Sequence, residues 1–413
     1  MNRAQHPASG RAFVVLLVAS GVIISLCMGL RQSLGLFLRP LTLDLGVSAA
    51  TFGFSIALQN IVWGLSQPVI GALADRHGPR PVLFATAALY AFGLVLMVVA
   101  GHVPGGLEIA GILTGIGISG TGFGVLIGTV SRATPPARRT QMVGIVAAAG
   151  SLGTMVIAPA GQAAIDTLGW KAAMLAFAVA AASIALVALL IREQPLASPS
   201  PVAHQRLGEA LREAMAHRGY LCMTLAFFAC GFQLVFIATY LPSYLELCGV
   251  APGVGATALA LIGLFNTVGT YVFGLLGARM SQKRLLALIY LLRTIFIAGF
   301  LLLPVSAGTA LVFAAAMGML WLGVVPLVTG IIARMFGLTH FNTLYGVVFL
   351  SHQLGSFCGA LLGGLAFDRF GNYNSGWAAL IVIGLAAFIL QWSMDEQPPH
   401  RRERAGQPVP RPA

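Results

Sequence analysis

Two arginines lie within apolar segments long enough to cross a lipid bilayer, and no acidic residue lies at the centre of any such segment. Arg31 falls in the outer half of the first segment, and Arg293 lies near the middle of the ninth. Charged side chains are costly in the hydrocarbon layer, so those that occur there usually mark the path of a ligand or an ion. A guanidinium holds a carboxylate through two parallel hydrogen bonds. Fixed positive charge without a carboxylate therefore favours an anionic ligand.

Each of the two arginines also has an alternative interpretation. Arg31 is close enough to the outer interface for its side chain to extend to the lipid headgroups. Arg293 could reach between helices and bond exposed backbone carbonyls instead of a ligand. The amino-acid sequence leaves both alternatives open.

Several uncharged side chains and one histidine complete the predicted binding site. Gln233 lies 202 residues after Arg31, an offset that relates the two halves of the chain, and Tyr240 shares the helix face of Gln233. His352 stands where the first half has Gly150; it could donate to an anion, carry a proton, or simply bond a neighbouring helix. We predict a substrate site formed by Arg31, Gln233, Tyr240, Asn266, Arg293, His352 and Gln353, with Gln59 and Asn60 as lesser candidates.

The motifs of several enzyme classes are missing from the sequence. It contains no H-E-x-x-H zinc motif, no pair of intramembrane aspartates and no phosphate-binding loop. The five cysteines form no C-x-x-C pair and read as small apolar residues. We therefore predict neither catalytic residues, nor a metal, nor a cofactor, and no ATP-driven pump.

The composition is that of an integral membrane protein. Of the 413 residues, 58% are hydrophobic and only 9% are charged, and the mean hydropathy is +0.88. A soluble protein of this length could not cover its surface with so few charges. The net charge of +12 does not indicate nucleic-acid binding, because most of the 24 lysines and arginines fall on one side of the predicted segments. That side is the cytoplasm by the positive-inside rule, which places both termini there.

Twelve apolar runs of about 20 residues or more predict twelve membrane helices. A polar stretch divides them into two groups of six, and many positions of the two groups match at an offset of 202, including Pro40 with Pro242 and Asp166 with Asp368. The prediction is an all-α membrane protein with two six-helix bundles as parallel repeats, related by an axis along the membrane normal. The predicted boundaries are a cytoplasmic tail over 1–11, an N-terminal bundle over 12–191, a cytoplasmic linker over 192–218, a C-terminal bundle over 219–394 and a cytoplasmic tail over 395–413. Within the linker, the apolar spacing is equally compatible with a short amphipathic helix and with a plain connection.

A charged loop joins the second and third segments. Gly71, Asp75, Arg76, Gly78 and Arg80 form the pattern G-x-x-x-D-R-x-G-x-R. This pattern resembles the signature loop of the major facilitator superfamily, which implies transport by rocking of two halves around a central cavity that the first and seventh helices face. The resemblance implies that this loop holds the halves together on the inner side and releases as they rock. Because glycine has no side chain, we also expect Gly71 to let two helices approach closely. It also implies a monomer.

Three shorter segments resemble bacterial members of the monocarboxylate-transporter-like branch of that superfamily. They are Gly35-x-Phe37-x-x-Pro40, the loop above, and the run that begins at His352-Gln353 and continues to Tyr373. Members of that branch move small organic carboxylates, often with a proton or in exchange for another anion. Better-known members carry an Asp and an Arg in the eighth helix; here that helix has Asn266 and no internal charge, so their proton relay does not carry over directly.

These observations predict a secondary active transporter in the inner (plasma) membrane. Its partners would be a small organic anion, with proton symport or anion exchange, and membrane lipid. The alternative is an exporter of hydrophobic compounds or drugs with the same fold. Exporters of cations usually have a buried acidic residue, and no span centre has one here, so this alternative concerns neutral compounds.

Overall fold

The computed structural model describes residues 10–134, 136–191, 207–337 and 341–397, and every regular element in those ranges is helical. The α-helices are α1 (Gly10–Gln32), α2 (Leu38–Leu45), α3 (Ala49–His77), α4 (Pro79–Val99), α5 (Gly106–Thr121), α6 (Phe123–Ala133), α7 (Pro136–Leu168), α8 (Trp170–Ala188), α9 (Leu207–Ala216), α10 (Arg218–Leu247), α11 (Pro252–Arg279), α12 (Gln282–Leu302), α13 (Ala307–Leu320), α14 (Val324–Phe336), α15 (Phe341–Phe370) and α16 (Asn374–Trp392). Two 3-10 helices cover Ser33–Phe37 and Ala100–His102.

Twelve membrane spans account for all of these helices except α9, as the apolar runs predict. The first span is α1 and α2 with the 3-10 helix between them, and the third is α4 with the 3-10 helix Ala100–His102. The fourth span is α5 with α6, the tenth is α13 with α14, and each other span is one helix. Since twelve is even, residues 10 and 397 lie on the same side, which we call the terminal face; the opposite side is the distal face. The predicted twelve-helix all-α fold is confirmed.

Helix α9 (Leu207–Ala216) lies within the predicted linker, so of the two predictions for that segment the structure has the amphipathic helix. It buries Ala210 and Ala214 and exposes Arg212. Because Ala210 and Ala214 are one helical turn apart, they lie on the same side of the helix and give it an apolar face that can pack on the bundle. The remainder of the predicted linker before residue 207, and most of both predicted tails, lie outside the described residues.

Gly78 makes the connection between the second and third spans possible. Its φ of 84° lies in the left-handed half of backbone space, where a side chain is strained, and Pro79 follows at the start of α4. One residue therefore reverses the chain at the terminal face. The expectation for Gly71 is wrong in this conformation, because a Cβ placed there would meet no atom within 4 Å.

The two halves of the chain meet mainly where the second span packs on the eleventh and the fifth on the eighth. Glycines allow the close approach: a Cβ at Gly64 would lie 2.9 Å from Gln353, and one at Gly263 would lie 2.7 Å from the carbonyl of Ser151. Such contacts between small residues are the usual means by which membrane helices associate.

Polar contacts close the distal side of this interface. Arg39 forms an ion pair with Glu246 at 3.1 Å. Asp368 accepts from the amides of Ala49 and Ala50 at 3.1 and 2.9 Å, at the N-terminus of α3, where a carboxylate is favoured by the helix dipole. These contacts, together with the bonds of Asn266 to Ser151 and of Gln353 to Asn60, join the halves at mid-span or nearer the distal face. The conformation is therefore distal-closed.

Candidate functional site

Arg31 lies at the interface between the halves, turned toward the second span. Its Nη2 donates to the side-chain oxygen of Asn60 at 2.7 Å, and its guanidinium lies 5.0 Å above the ring of Trp63. Its Nε is buried and has no hydrogen-bond partner. No carboxylate of a described residue lies within 4 Å of it. The alternative in which Arg31 extends to the headgroups is therefore wrong, and the side chain retains unused capacity to bind an anion.

The second half contributes Gln353 and His352 at the same level. Gln353 donates from Nε2 to the backbone carbonyl of Asn60 at 2.9 Å, across the interface. Its Oε1 lies 3.1 Å from Nδ1 of His352. Because a carbonyl can only accept, the amide nitrogen of Gln353 must face Asn60, and its oxygen must accept from His352. The network therefore assigns a proton to Nδ1 of His352 and leaves Nε2 without a hydrogen-bond partner among the described residues.

Aromatic rings surround these polar groups. The Trp63 ring packs edge-on against Phe349 at 5.4 Å, which brings the second and eleventh spans together. Phe349 in turn stacks on His352 at 6.0 Å, and Phe227 lies 5.0 Å from the same imidazole. Walls of this kind exclude water and strengthen a charge interaction inside them.

Sequence reasoning ranked Asn60 low and missed Trp63 and Phe349. A signal was present for the first two, since Asn60 and Trp63 are three residues apart and share a helix face. Phe349 gave no signal, because an aromatic ring in an apolar span most often packs against lipid or a neighbouring helix.

Gln233 and Tyr240 do not join Arg31 in this conformation. Gln233 is fully buried and donates to the carbonyl of Leu380 at 3.1 Å, so its described contact lies within the second half. Tyr240 is also fully buried, and its hydroxyl donates to the carbonyl of Ala360. The expected convergence of Arg31 and Gln233 is therefore not found, and both glutamine and tyrosine hold helices of the second half together.

Arg293 is fully buried and bonds backbone carbonyls, which was the alternative to a ligand role. Its Nε donates to Leu320 at 3.1 Å, and its Nη2 donates to both Leu320 and Trp321. Asn266 accepts from the amide of Leu322 at 2.9 Å, on the same stretch of the tenth span. The structure thus places these two predicted site residues at a helix break instead of beside Arg31.

The charged loop of the signature pattern contacts its own half. Arg80 donates to the carbonyl of Leu189 at 2.7 Å, which joins the third span to the end of the sixth, and Arg76 is exposed. The side chain of Asp75 lies outside the described residues. A role in holding the halves together stays a prediction, and in a distal-closed state the loop is expected to be released.

The fold and this interface define a polytopic membrane transporter built from two six-span halves. A family model for the Major Facilitator Superfamily matches residues 20–329, and the chain belongs to that superfamily. The chain is similar to Monocarboxylate transporter 11 of Mus musculus, with 28% identity over 398 residues, 91% of this chain and 85% of that one. It is 25% identical to the Oxalate:formate antiporter of Oxalobacter formigenes over 383 residues, 91% of this chain and 89% of that one. The predicted resemblance to the monocarboxylate-transporter-like branch is thereby confirmed.

Solved structures share the fold at low identity. A bacterial homologue of the human lysosomal transporter Spinster, in an inward-facing and unoccupied conformation, superposes with a TM-score of 0.77 at 15% identity, over 93% of this chain and 97% of that one. The xylose transporter XylE of E. coli in its inward open conformation gives 0.72 at 14%, over 92% and 96%. These similarities concern the fold alone.

Proposed function

We propose that this transporter is a secondary active carrier of a small organic anion, a mono- or dicarboxylate, that works by alternating access. The observation that carries the proposal is the guanidinium of Arg31, which lies between the halves with a buried, unpartnered Nε and without a carboxylate partner. The names of the relatives, monocarboxylate transporter and oxalate:formate antiporter, support an anionic substrate.

In this mechanism the substrate carboxylate accepts from Nε and a terminal nitrogen of Arg31. Such a two-point contact is the preferred geometry of an arginine with a carboxylate. Asn60 then turns from Arg31, and Nε2 of His352 is the open polar atom on the side of the second half. Because Nε2 carries no proton in this tautomer, it accepts from a protonated carboxyl group, or donates to a carboxylate once the imidazole has taken up a proton. A substrate held in this way between Arg31 and His352 contacts both halves at once, which is how binding can favour a change in their relative orientation.

Coupling to a proton would use His352 or the carboxyl group of the substrate itself. The positive charge of Arg31 disfavours a second positive charge nearby, and a bound anion removes that penalty. Binding of anion and proton would then be mutually favourable, as linkage requires. Anion exchange is the other form of coupling consistent with this site. Uptake into proteoliposomes separates the two: a pH gradient drives symport, whereas exchange needs anion on the opposite side.

We further propose that the terminal face is cytoplasmic and that the chain acts as a monomer in the inner membrane. Basic side chains at that face, among them Arg11, Arg76, Arg218, Arg279 and Arg334, support the orientation through the positive-inside rule. Cysteines introduced singly at Arg76 and Leu43 test it, in a chain with Cys248→Ser and Cys358→Ala to remove the accessible native thiols. A membrane-impermeant reagent added to intact cells should label only the distal one.

A ligand panel tests the substrate class. The melting temperature of the purified protein would be recorded with small mono- and dicarboxylates, their neutral amides and hydrophobic cations. A ligand that binds only the folded state raises the melting temperature, and more so as its concentration exceeds the Kd. We expect stabilisation by one class of carboxylate and none by the matching amides. Equal stabilisation by acid and amide would contradict the anion site.

The aromatic rings of Trp63, Phe349 and Phe227 favour one second candidate, an exporter of neutral hydrophobic compounds. A neutral substrate would not need the positive charge of Arg31 for binding. Stabilisation by hydrophobic compounds alone in the same panel would move it to first place.

Replacing Asp75 with alanine should lower the transport rate several-fold while leaving ligand affinity within about twofold. The loop lies far from Arg31, so it can affect the exchange of conformations without affecting binding. Asp75→Ala would be compared with Arg284→Gln, an exposed residue of the terminal face in the second half. Transport at the wild-type rate in Asp75→Ala would remove the loop from the mechanism.

A further inference from the structure

The tenth span is interrupted near its middle, just before Pro326, which has no amide hydrogen for the carbonyl of Leu322 and crowds it with its ring. Helix α13 ends at Leu320 and α14 begins at Val324. An interruption leaves backbone carbonyls and amides without partners inside the helix, and in a membrane other helices must supply them. The side chains that do so show what holds the bend in place.

Two side chains from neighbouring spans supply these partners. Arg293 of the ninth span donates to the carbonyls of Leu320 and Trp321. Asn266 of the eighth span accepts from the amide of Leu322 at 2.9 Å. The carbonyl side and the amide side of the break are therefore held by different residues, each of which has further contacts.

Asn266 also reaches into the other half of the protein. Its Nδ2 donates to the hydroxyl of Ser151 in the fifth span at 2.8 Å. The two spans are tightly packed one turn nearer the distal face, where a Cβ at Gly263 would lie 2.7 Å from the carbonyl of Ser151. One amide group thus bonds the break of the tenth span with its oxygen and the first half with its nitrogen.

The first half holds its own break differently. The fourth span is interrupted at Gly122, and Gln67 of the second span donates to the carbonyl of Ser119 at 3.1 Å. The oxygen of Gln67 accepts from Trp63, so this amide bonds no residue of the other half directly. The direct bond across the halves is therefore a feature of the second break.

We propose that Asn266 is a positioning residue for the transport cycle. Its bond to Ser151 stabilises the distal-closed state and couples separation of the fifth and eighth spans to the bend of the tenth. When the halves rock toward a distal-open state, the bond to Ser151 breaks, and the Asn266 oxygen keeps its bonds from the Leu322 amide and the Thr270 hydroxyl. This assignment does not depend on the chemistry of the substrate.

Spin labels on the distal face test the proposal. Leu43→Cys in the first half and the native Cys248 in the second are both exposed there, in a chain with Cys358→Ala to remove the half-buried thiol. The distance distribution between the labels would be compared in wild type, Ser151→Ala and Asn266→Ala. Each would also be recorded with Arg39→Gln, which removes the Arg39–Glu246 ion pair and raises the population of the distal-open state.

Ser151→Ala removes one hydrogen bond that exists in the distal-closed state only, so the ratio of open to closed should rise about two- to tenfold. Asn266→Ala should raise the ratio of open to closed at least as far. The variant that carries both Ser151→Ala and Asn266→Ala should raise it no further than Asn266→Ala alone, because both substitutions remove the same hydrogen bond. Ser151 is the sharper position, since its replacement leaves Asn266 bonded to Leu322.

Ser25→Ala is the matched control, because Ser25 donates to Ala149 at 2.6 Å within the first half and loses its bond in both states. It should leave the distribution unchanged, and Ser151→Thr, which keeps a hydroxyl, should restore it. A distribution unchanged by Ser151→Ala in both backgrounds would overturn the proposal. An equal shift in Ser25→Ala would also overturn it, by showing general loosening.

Discussion

Replacing Arg31 with glutamine should weaken carboxylate binding by roughly 30-fold or more, which corresponds to about 2 kcal/mol at the lower end. The guanidinium is the one charged group that the described residues place at the interface at mid-span, and its Nε has no other partner. Glutamine keeps a donor but loses both the charge and the two-point contact. The Kd from titration calorimetry, or the ligand-dependent melting temperature, measures the change.

Arg31→Lys and Lys171→Gln make this experiment specific. Lysine keeps the charge without the planar fork, so its affinity should lie between those of wild type and glutamine. Lys171 pairs with Asp44 at 2.8 Å on an exposed surface within the first half, so Lys171→Gln changes the net charge equally without touching the site. We expect Lys171→Gln to bind as wild type does. Wild-type affinity in a folded Arg31→Gln protein would eliminate the anion site.

The second large effect is expected at Arg293, and it concerns stability. Arg293→Gln should destabilise the protein by about 2–5 kcal/mol, because the carbonyls of Leu320 and Trp321 lose their donors inside the membrane. The melting temperature in detergent, without ligand, measures this loss. Ligand affinity of the folded fraction should stay within about threefold, since Arg293 is fully occupied away from Arg31.

Arg284→Gln is the control for this effect, because Arg284 lies on the same helix and is exposed. It should melt with the wild-type protein. If Arg293→Gln kept the wild-type melting temperature but lost carboxylate binding, Arg293 would belong to the substrate site after all. A structural role for Arg293 would lower the melting temperature, whereas a ligand contact would lower the affinity for carboxylates. The two measurements together therefore distinguish these roles.

Much of the fold could be read from the sequence, because the thickness of the hydrocarbon layer sets the length of each span. The apolar runs predicted the twelve spans, and the repeat at an offset of 202 indicated two similar halves. The length of a span does not show where its helix is interrupted, although the glycines of the fourth span and Pro326 in the tenth permit a bend. Pro326 disfavours a continuous helix at Leu322, and the break after Leu320 is stable in the membrane because Arg293 and Asn266, remote in sequence, satisfy its backbone.

For the site, the sequence determined that the span of Arg31 has no acidic residue at its centre to compensate its charge, because this feature depends only on which residues occupy the span. It could not determine which way a polar side chain faces within a bundle. Gln233 holds the repeat position of Arg31, yet Arg31 bonds Asn60 of the second span whereas Gln233 bonds Leu380 of the twelfth. Equal repeat positions therefore need not have equal surroundings. Only the tertiary structure decided that Arg31 contacts Asn60 and Trp63 and that the carbonyl of Asn60 accepts from Gln353 of the other half. It also decided that Gln233 and Arg293 bond carbonyls of their own half, because all of these contacts depend on the packing of helices far apart in the chain.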